Sequence, residues 1–238
     1  MTRRLFVLAC ATVMEEMIPL MSEGMEYEVL DFGLHIRPEQ LRQTLQRRID
    51  ALEQPYDAVI LGYGLCSHAV IGIRARHSPL VIPRVDDCIA IFLGSRAAHR
   101  AQHAREPGTY YLTKGWIEVG DTPFAEYERM VQQYGRERAD RLIRIILAHY
   151  TRLALINTGQ YELEKYREYA RRTAEQFGLR YEEIPGSTAL IRKMLYGPWD
   201  PDEFVVVPPG GTVCYEDFYP SGPEKERDLA PKPTGCEA

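Results

Sequence analysis

The chain alternates between short, continuously apolar runs and longer stretches with apolar residues at helical spacing. The runs end at Ala9, Leu61, Ile82, Ile156 and Val207, and turn-forming residues bound them. Such runs read as strands covered on both faces, because a strand with one wet face alternates polar and apolar positions. They are expected to be parallel and central, with helices on either side. Less apolar strands are expected over 27–31, 110–112 and 179–184.

Helices fill the intervals. Pro38 suits a first helical turn, and Leu41, Leu45, Ile49 and Leu52 recur on one face, which predicts a helix over 38–52. Others are expected over 12–21 (shortened by Pro19), 126–134, 136–149, 162–177 and 189–195. One more is expected from Asp86, capped by Asp86 or Asp87. The fold class is therefore α/β, with one or more parallel Rossmann-like sheets flanked by helices.

The order strand, helix, strand, helix, strand occurs once from Arg4 to Gly62 and again from Arg152 to Gly210. This echo predicts two similar βαβαβ lobes with a cleft between them. The expected boundaries are a first lobe over 1–106, a helical or loop connection over 107–150, a second lobe over 151–213 and a flexible tail over 214–238. The last stretch from Ser221 is rich in Pro, Gly and charge, as disordered tails are.

A net charge of -5 argues against a nucleic-acid footprint, which needs a basic patch. The arginines at 136, 138, 141 and 144 alternate with acids, as on a solvated helix face. No apolar run is long enough to span a bilayer, so no membrane association is expected. Arg3 and Arg4 precede about ten apolar residues in the manner of a secretion signal, but Glu15 and Glu16 interrupt the run. A first strand and helix is the expectation there. Five cysteines without close regular spacing make no disulfide framework, which points to reduced thiols and a cytoplasmic protein.

The candidate chemistry lies in those cysteines. Cys10, Cys66 and Cys88 each fall just past the carboxyl end of an expected buried strand, the edge where open α/β sheets bind ligands. Thiolates suit zinc or iron–sulfur chemistry. Three protein ligands with an open position describe a catalytic zinc, and equally a four-iron cluster with one iron free for substrate. Both stay open. Cys88 in the first turn of a helix is expected to favour thiolate through the helix dipole. Cys214 and Cys236 are left out of the site.

Around the thiols, Glu16 and Asp87 are the candidate proton-moving carboxylates, and His68 is a further metal-ligand candidate. Gly62, Gly64 and Arg84 are candidates for holding a cofactor or substrate, the glycines by close backbone approach and Arg84 by bidentate pairing. Each has an ordinary alternative: tight turns for the glycines, an ion pair with Asp86 or Asp87 for the arginine. Tyr110, Tyr111 and Trp116 either pack a loop or form a lid.

Four segments carry a family resemblance: GYGLCS at 62–67, PLVIPRVDDCIAIFLGSR at 79–96, PGTYYLTKGWIE at 107–118 and YTRLALINTG at 150–159. Together they resemble the domain-of-unknown-function family numbered 1638, over about Leu5 to Pro209. The resemblance implies the three cysteines and a genomic setting beside corrinoid-dependent methyltransferase components. In that family the third cysteine often follows His-Asp; here Asp86 and Asp87 precede it, so a histidine ligand at 86 does not carry over.

The expected function is a metal-binding enzyme acting on a small molecule, with zinc or an iron–sulfur cluster at the three cysteines. A corrinoid or methyltransferase protein is the partner the resemblance implies, and self-association is left open. The competing expectations are a non-catalytic metal or corrinoid accessory protein and a metal-free enzyme using Cys66 or Cys88 as nucleophile.

Overall fold

The computed structural model describes residues 3–66, 68–119 and 122–219. In chain order the elements are β1 Leu5–Cys10, α1 Ala11–Met17, β2 Glu26–Leu30, α2 Pro38–Asp50, β3 Ala58–Gly62, β4 Leu80–Pro83 and α3 Cys88–Phe92. Then come α4 Arg96–Arg105, β5 Thr109–Leu112, α5 Lys114–Val119, α6 Pro123–Tyr134, α7 Arg136–Ile146 and β6 Arg152–Asn157. The last are α8 Glu164–Phe177, β7 Arg180–Pro185, α9 Ala189–Tyr196 and β8 Phe204–Val207. The chain divides into two units, residues 1–91 with 189–238, and residues 92–188. The expected α/β class holds in both, each built on a largely parallel sheet.

The first unit carries a five-stranded sheet in the order β2-β1-β3-β4-β8. The first four strands are parallel. In β1 and β3, Val7, Leu8, Ile60 and Leu61 are fully buried, as continuous apolar runs require. Each such side chain stabilises the fold by roughly 1.5–3 kcal/mol relative to exposure. Leu41, Leu45 and Ile49 form the buried face of α2, the stripe that the helical spacing predicts.

The last strand differs from expectation. β8 was placed parallel and central in a second lobe by its run FVVV, yet it pairs antiparallel with β4 at the edge of the first sheet. Its Val206 is half exposed. An apolar run reports burial but not direction, and α9, packed on β3 and β4, returns the chain to the first sheet. The second sheet instead takes β5, in the order β5-β6-β7, all parallel. The two βαβαβ series are thus not a repeat, and the expected boundaries at 106 and 150 cut through the second unit.

Residues 214–219, expected in a flexible tail, are built into the first unit. Residues 72–75 exchange backbone hydrogen bonds with 210–213, Tyr215–Asp217 forms a short 3-10 turn, and Phe218 is buried. The expected tail from Ser221 onward, with Cys236, lies outside the described residues.

In the second unit, Leu112, Leu153 and Leu155 of the sheet pack with Phe124, Ile143 and Ala170 of the helices. Tyr110 lies edge-on to Phe124 and Tyr150, and Trp116 sits in α5, so both belong to regular elements and not to a loop. The amino edge of this sheet holds Arg152 with no exposed surface. Its guanidinium donates to Thr109 Oγ1 (2.8 Å), Glu182 Oε2 (3.0 Å) and Gln102 Oε1 (3.3 Å).

Glu182 also pairs with Arg105 and Arg180. Burial works against its carboxylate, but these hydrogen bonds outweigh it and lower the pKa from 4.5 to about 2. A carboxylate held low in the folded state stabilises above its unfolded pKa and loses that contribution as pH falls through the folded value. Unfolding free energy should therefore fall between pH 4.5 and about 2 on account of this group, by at most about 3 kcal/mol and by less where solvent screens its exposed arginine partners. Urea titrations across that range should show the fall in the wild type and a much smaller one in Glu182→Gln. Equal slopes in the two proteins would refute it.

Among the described residues, no helix is long and apolar enough to cross a membrane.

Candidate functional site

The order 2-1-3-4 in the first sheet defines where a ligand belongs. The chain leaves β1 for β2 on one side and then crosses to β3 on the other, so the crossovers part between β1 and β3. In doubly wound sheets the crevice at the carboxyl ends of those two strands is the ligand site. Cys10 is the last residue of β1, and Cys66 lies four residues past the end of β3. Cys88 opens α3, five residues past β4.

Local packing brings the three loops together. A Cβ on Gly62 would lie 2.5 Å from Ala9 Cβ, so only glycine lets β3 close on the end of β1. A Cβ on Gly64 would lie 2.7 Å from the Val85 carbonyl oxygen. That close approach lets the Leu65 and Cys66 N–H groups donate to the Val85 and Asp86 carbonyls, at 2.8 and 3.1 Å. Cys66 itself adopts a positive φ of 45°, a turn that non-glycine residues seldom make. The missing Cβ of each glycine is thus taken up by the protein's own chain, not by a cofactor.

The cysteines are free thiols, Cys10 and Cys88 buried and Cys66 half-buried. Burial raises all three pKa values. At Cys66 and Cys88 the charge of Cys10 raises them further, and at Cys88 so does that of Cys66. Every pair of the three therefore lies within electrostatic reach. This corrects the expectation for Cys88: desolvation and like charge override the dipole of a five-residue helix, so without a cation the neutral thiol is favoured. Cys10 Sγ also shares a hydrogen bond with Thr12 Oγ1 at 3.2 Å, which works in the opposite direction.

Among the described residues, no group of three or more His, Cys, Asp or Glu side chains is arranged so that it could hold a metal ion. The thiols are gathered without being drawn onto one point.

The other candidates are placed as follows. Asp87 Oδ1 accepts from the Ile89 N–H (2.9 Å), capping α3 as expected, and its charge acts on Cys66 and Cys88. Glu16 is buried on α1. Arg84 is tied to β8, with its N–H on the Glu203 carbonyl (2.7 Å) and Nη2 on that of Phe204 (3.4 Å). His68 has a positive φ and its ring lies against Tyr215, 5.6 Å between centroids.

With this geometry in hand, the comparison with known families is specific. The family described as Protein of unknown function (DUF1638) matches residues 29–195, more than two-thirds of the chain. The chain belongs to the DUF1638 family. No curated protein and no solved structure matches it. The matched span contains Cys66 and Cys88, while Cys10 precedes it.

This DUF1638 chain also brings to the site residues that sequence reasoning passed over. Tyr219 donates to Asp86 Oδ1 at 2.7 Å, and its ring lies 5.0 Å from that of Tyr215. The segment counted as tail thereby reaches the loop before Cys88. Tyr63, inside the run GYGLC, is 1% exposed, and the charges of Cys10 and Cys66 reach its hydroxyl. Its position between two glycines of a site loop was the available signal. For His35, beside Tyr63, there was none.

Proposed function

We propose that this protein is a metal-dependent enzyme acting on a small molecule, its metal group held by Cys10, Cys66 and Cys88 at the β1/β3 crevice. The observation that carries it is the placing of three free thiols just past the carboxyl ends of β1, β3 and β4, three neighbouring parallel strands. Crowded sulfurs repel as thiolates, and a bound cation reverses that balance by pairing with each negative charge.

Two groups suit three thiolates, a single zinc and an iron–sulfur cluster with one iron open to substrate. Zinc draws three sulfurs to within about 4 Å of one another, because each bond is near 2.3 Å. A cluster takes each thiolate on a different iron and accepts a wider triangle. When bound, it supplies a Lewis-acidic position for substrate.

The chain's own residues have separable tasks. Asp87, fixed by the Ile89 N–H, moves a proton at the edge of the site, with buried Glu16 as the second carboxylate. Tight closure at Gly62 and Gly64 holds the loop that carries Cys66 against the end of β1 and the segment before Cys88. Free thiols of this kind belong in a reducing compartment, so we place the protein in the cytoplasm. The corrinoid or methyltransferase partner rests on the family resemblance and on none of these residues.

Metal analysis and a visible spectrum of protein purified without oxygen test the proposal. Metal bound at the three cysteines is the expected result, as one zinc per chain without colour or as iron with acid-labile sulfide in a brown protein. The first outcome selects zinc and the second the cluster. No metal after anaerobic purification, and no uptake of iron, sulfide or zinc afterwards, would overturn the proposal as a whole.

A further inference from the structure

Over the end of β1 the structure sets a row of three rings. Phe32 and His35 belong to the 3-10 turn that follows β2, and Tyr63 to the loop that follows β3. Since β2 and β3 flank β1 in the sheet, these two loops meet where Cys10 ends its strand. Ring centroids lie 5.2 Å apart for Phe32 and His35 and 5.8 Å for His35 and Tyr63, each pair tilted and not stacked flat.

Two polar atoms in this row are buried without a hydrogen-bond partner among the described residues: Tyr63 Oη and His35 Nε2. A hydroxyl or ring nitrogen left so has given up its hydrogen bonds to water without replacing them. Two such atoms on adjoining rings, beside a cluster of thiols, are costly for stability and mark a place where a ligand supplies the missing partner. We infer that Tyr63 Oη and His35 Nε2 are a receiving pair for an sp2 oxygen, carboxylate or carbonyl, of the small molecule handled at the thiol edge.

The chemistry follows from the two groups. Burial lowers the His35 pKa and raises that of Tyr63, so both are uncharged near neutral pH. A phenol O–H is a donor, and the imidazole donates from Nε2 when that nitrogen carries the proton. Two neutral donors suit an oxygen with two lone pairs, and in a desolvated site they stabilise charge that develops on it. This inference rests on the proposed reading of the edge as a small-molecule site, but not on which metal the thiols hold.

Acetate and acetamide, alike in shape and different in charge, serve as probes, with binding followed by the 15N shift of His35 Nε2 or by saturation transfer to the probe. Wild-type protein should bind at least one of them saturably; acetate alone identifies a carboxylate, acetamide alone a carbonyl. Tyr63→Phe and His35→Phe keep the row of rings and remove one polar atom each. Each should weaken binding about three- to tenfold, the loss of one neutral hydrogen bond. Neither should lower the melting temperature, because no protein partner is lost.

Failure of saturable binding by the wild type, unchanged affinity in both variants, or a clear fall in melting temperature would overturn the receiving pair. The last would reveal a structural partner for the atom removed. Metal content measured on the same samples separates this from the three-cysteine proposal. Full metal with no probe binding defeats the pair alone, whereas probe binding by protein that takes up no iron, sulfide or zinc defeats the metal centre alone.

Discussion

Replacing Cys10, Cys66 or Cys88 singly by alanine should strip most of the metal from the protein, and Cys214→Ala should leave it in place. The three thiols come from three loops of one sheet; the charge of Cys10 reaches Cys66, and those of Cys10 and Cys66 both reach Cys88. Loss of an outer-shell partner alone costs a metal site 10–100-fold in affinity, so loss of a ligand should leave on the order of a tenth of the wild-type content or less. Cys214 is half-buried, with its Sγ directed to the Thr212 carbonyl at 3.6 Å. Iron, zinc and sulfide measured on anaerobically purified variants decide the matter. Equal metal in all four variants would remove the thiols from the site, and loss on Cys214→Ala would add a fourth sulfur to it. Because Cys10 and Cys88 are buried, serine variants should be run alongside, with circular dichroism to show that the fold survives.

Arg152→Met should destabilise the second unit by about 3–5 kcal/mol, the usual cost of removing one partner of a buried ion pair. Arg152 is fully buried and lies between two carboxylates, Glu182 of β7 at 3.0 Å and Glu106, just past the end of α4, at 3.5 Å. Methionine fills much of the volume but leaves Thr109, Gln102 and both carboxylates without this donor. Glu182 keeps Arg105 and Arg180, and Glu106 keeps Arg180, so the share of the loss that comes from weakened charge pairing should be recovered when Arg152→Met is combined with Glu182→Gln. Urea unfolding of the wild type, the single variant and the double variant supplies the numbers. A single-variant loss under about 1 kcal/mol, the range of exposed ion pairs, would show that the network is solvated. No recovery in the double variant would locate the cost in packing instead.

The contrast between these two sites shows how much the chain states locally. The apolar runs of β1, β3, β4 and β6 are legible because burial on both faces demands apolar side chains at every position. The α2 stripe and the Asp87 cap are legible for the same reason: spacing and side-chain chemistry are properties of neighbours in sequence. So is the coincidence of three cysteines with three strand ends. α4 was missed because its sequence RAAHRAQHAR buries none of its residues and shows no apolar stripe. α5 was read as a loop because two glycine-flanked aromatics outweighed six residues of weak pattern.

What the sequence determined, then, was the set of buried strands and the three thiols at their ends. Only the tertiary structure decided that β8 runs antiparallel at the edge of the first sheet, that β5 joins the second, and that residues 214–219 return to Asp86. The same holds for the protonation of Cys88 and for the unpartnered atoms of Tyr63 and His35. Strand direction, desolvation and hydrogen-bond satisfaction depend on groups far away along the chain, and a local pattern of polar and apolar residues carries no record of them.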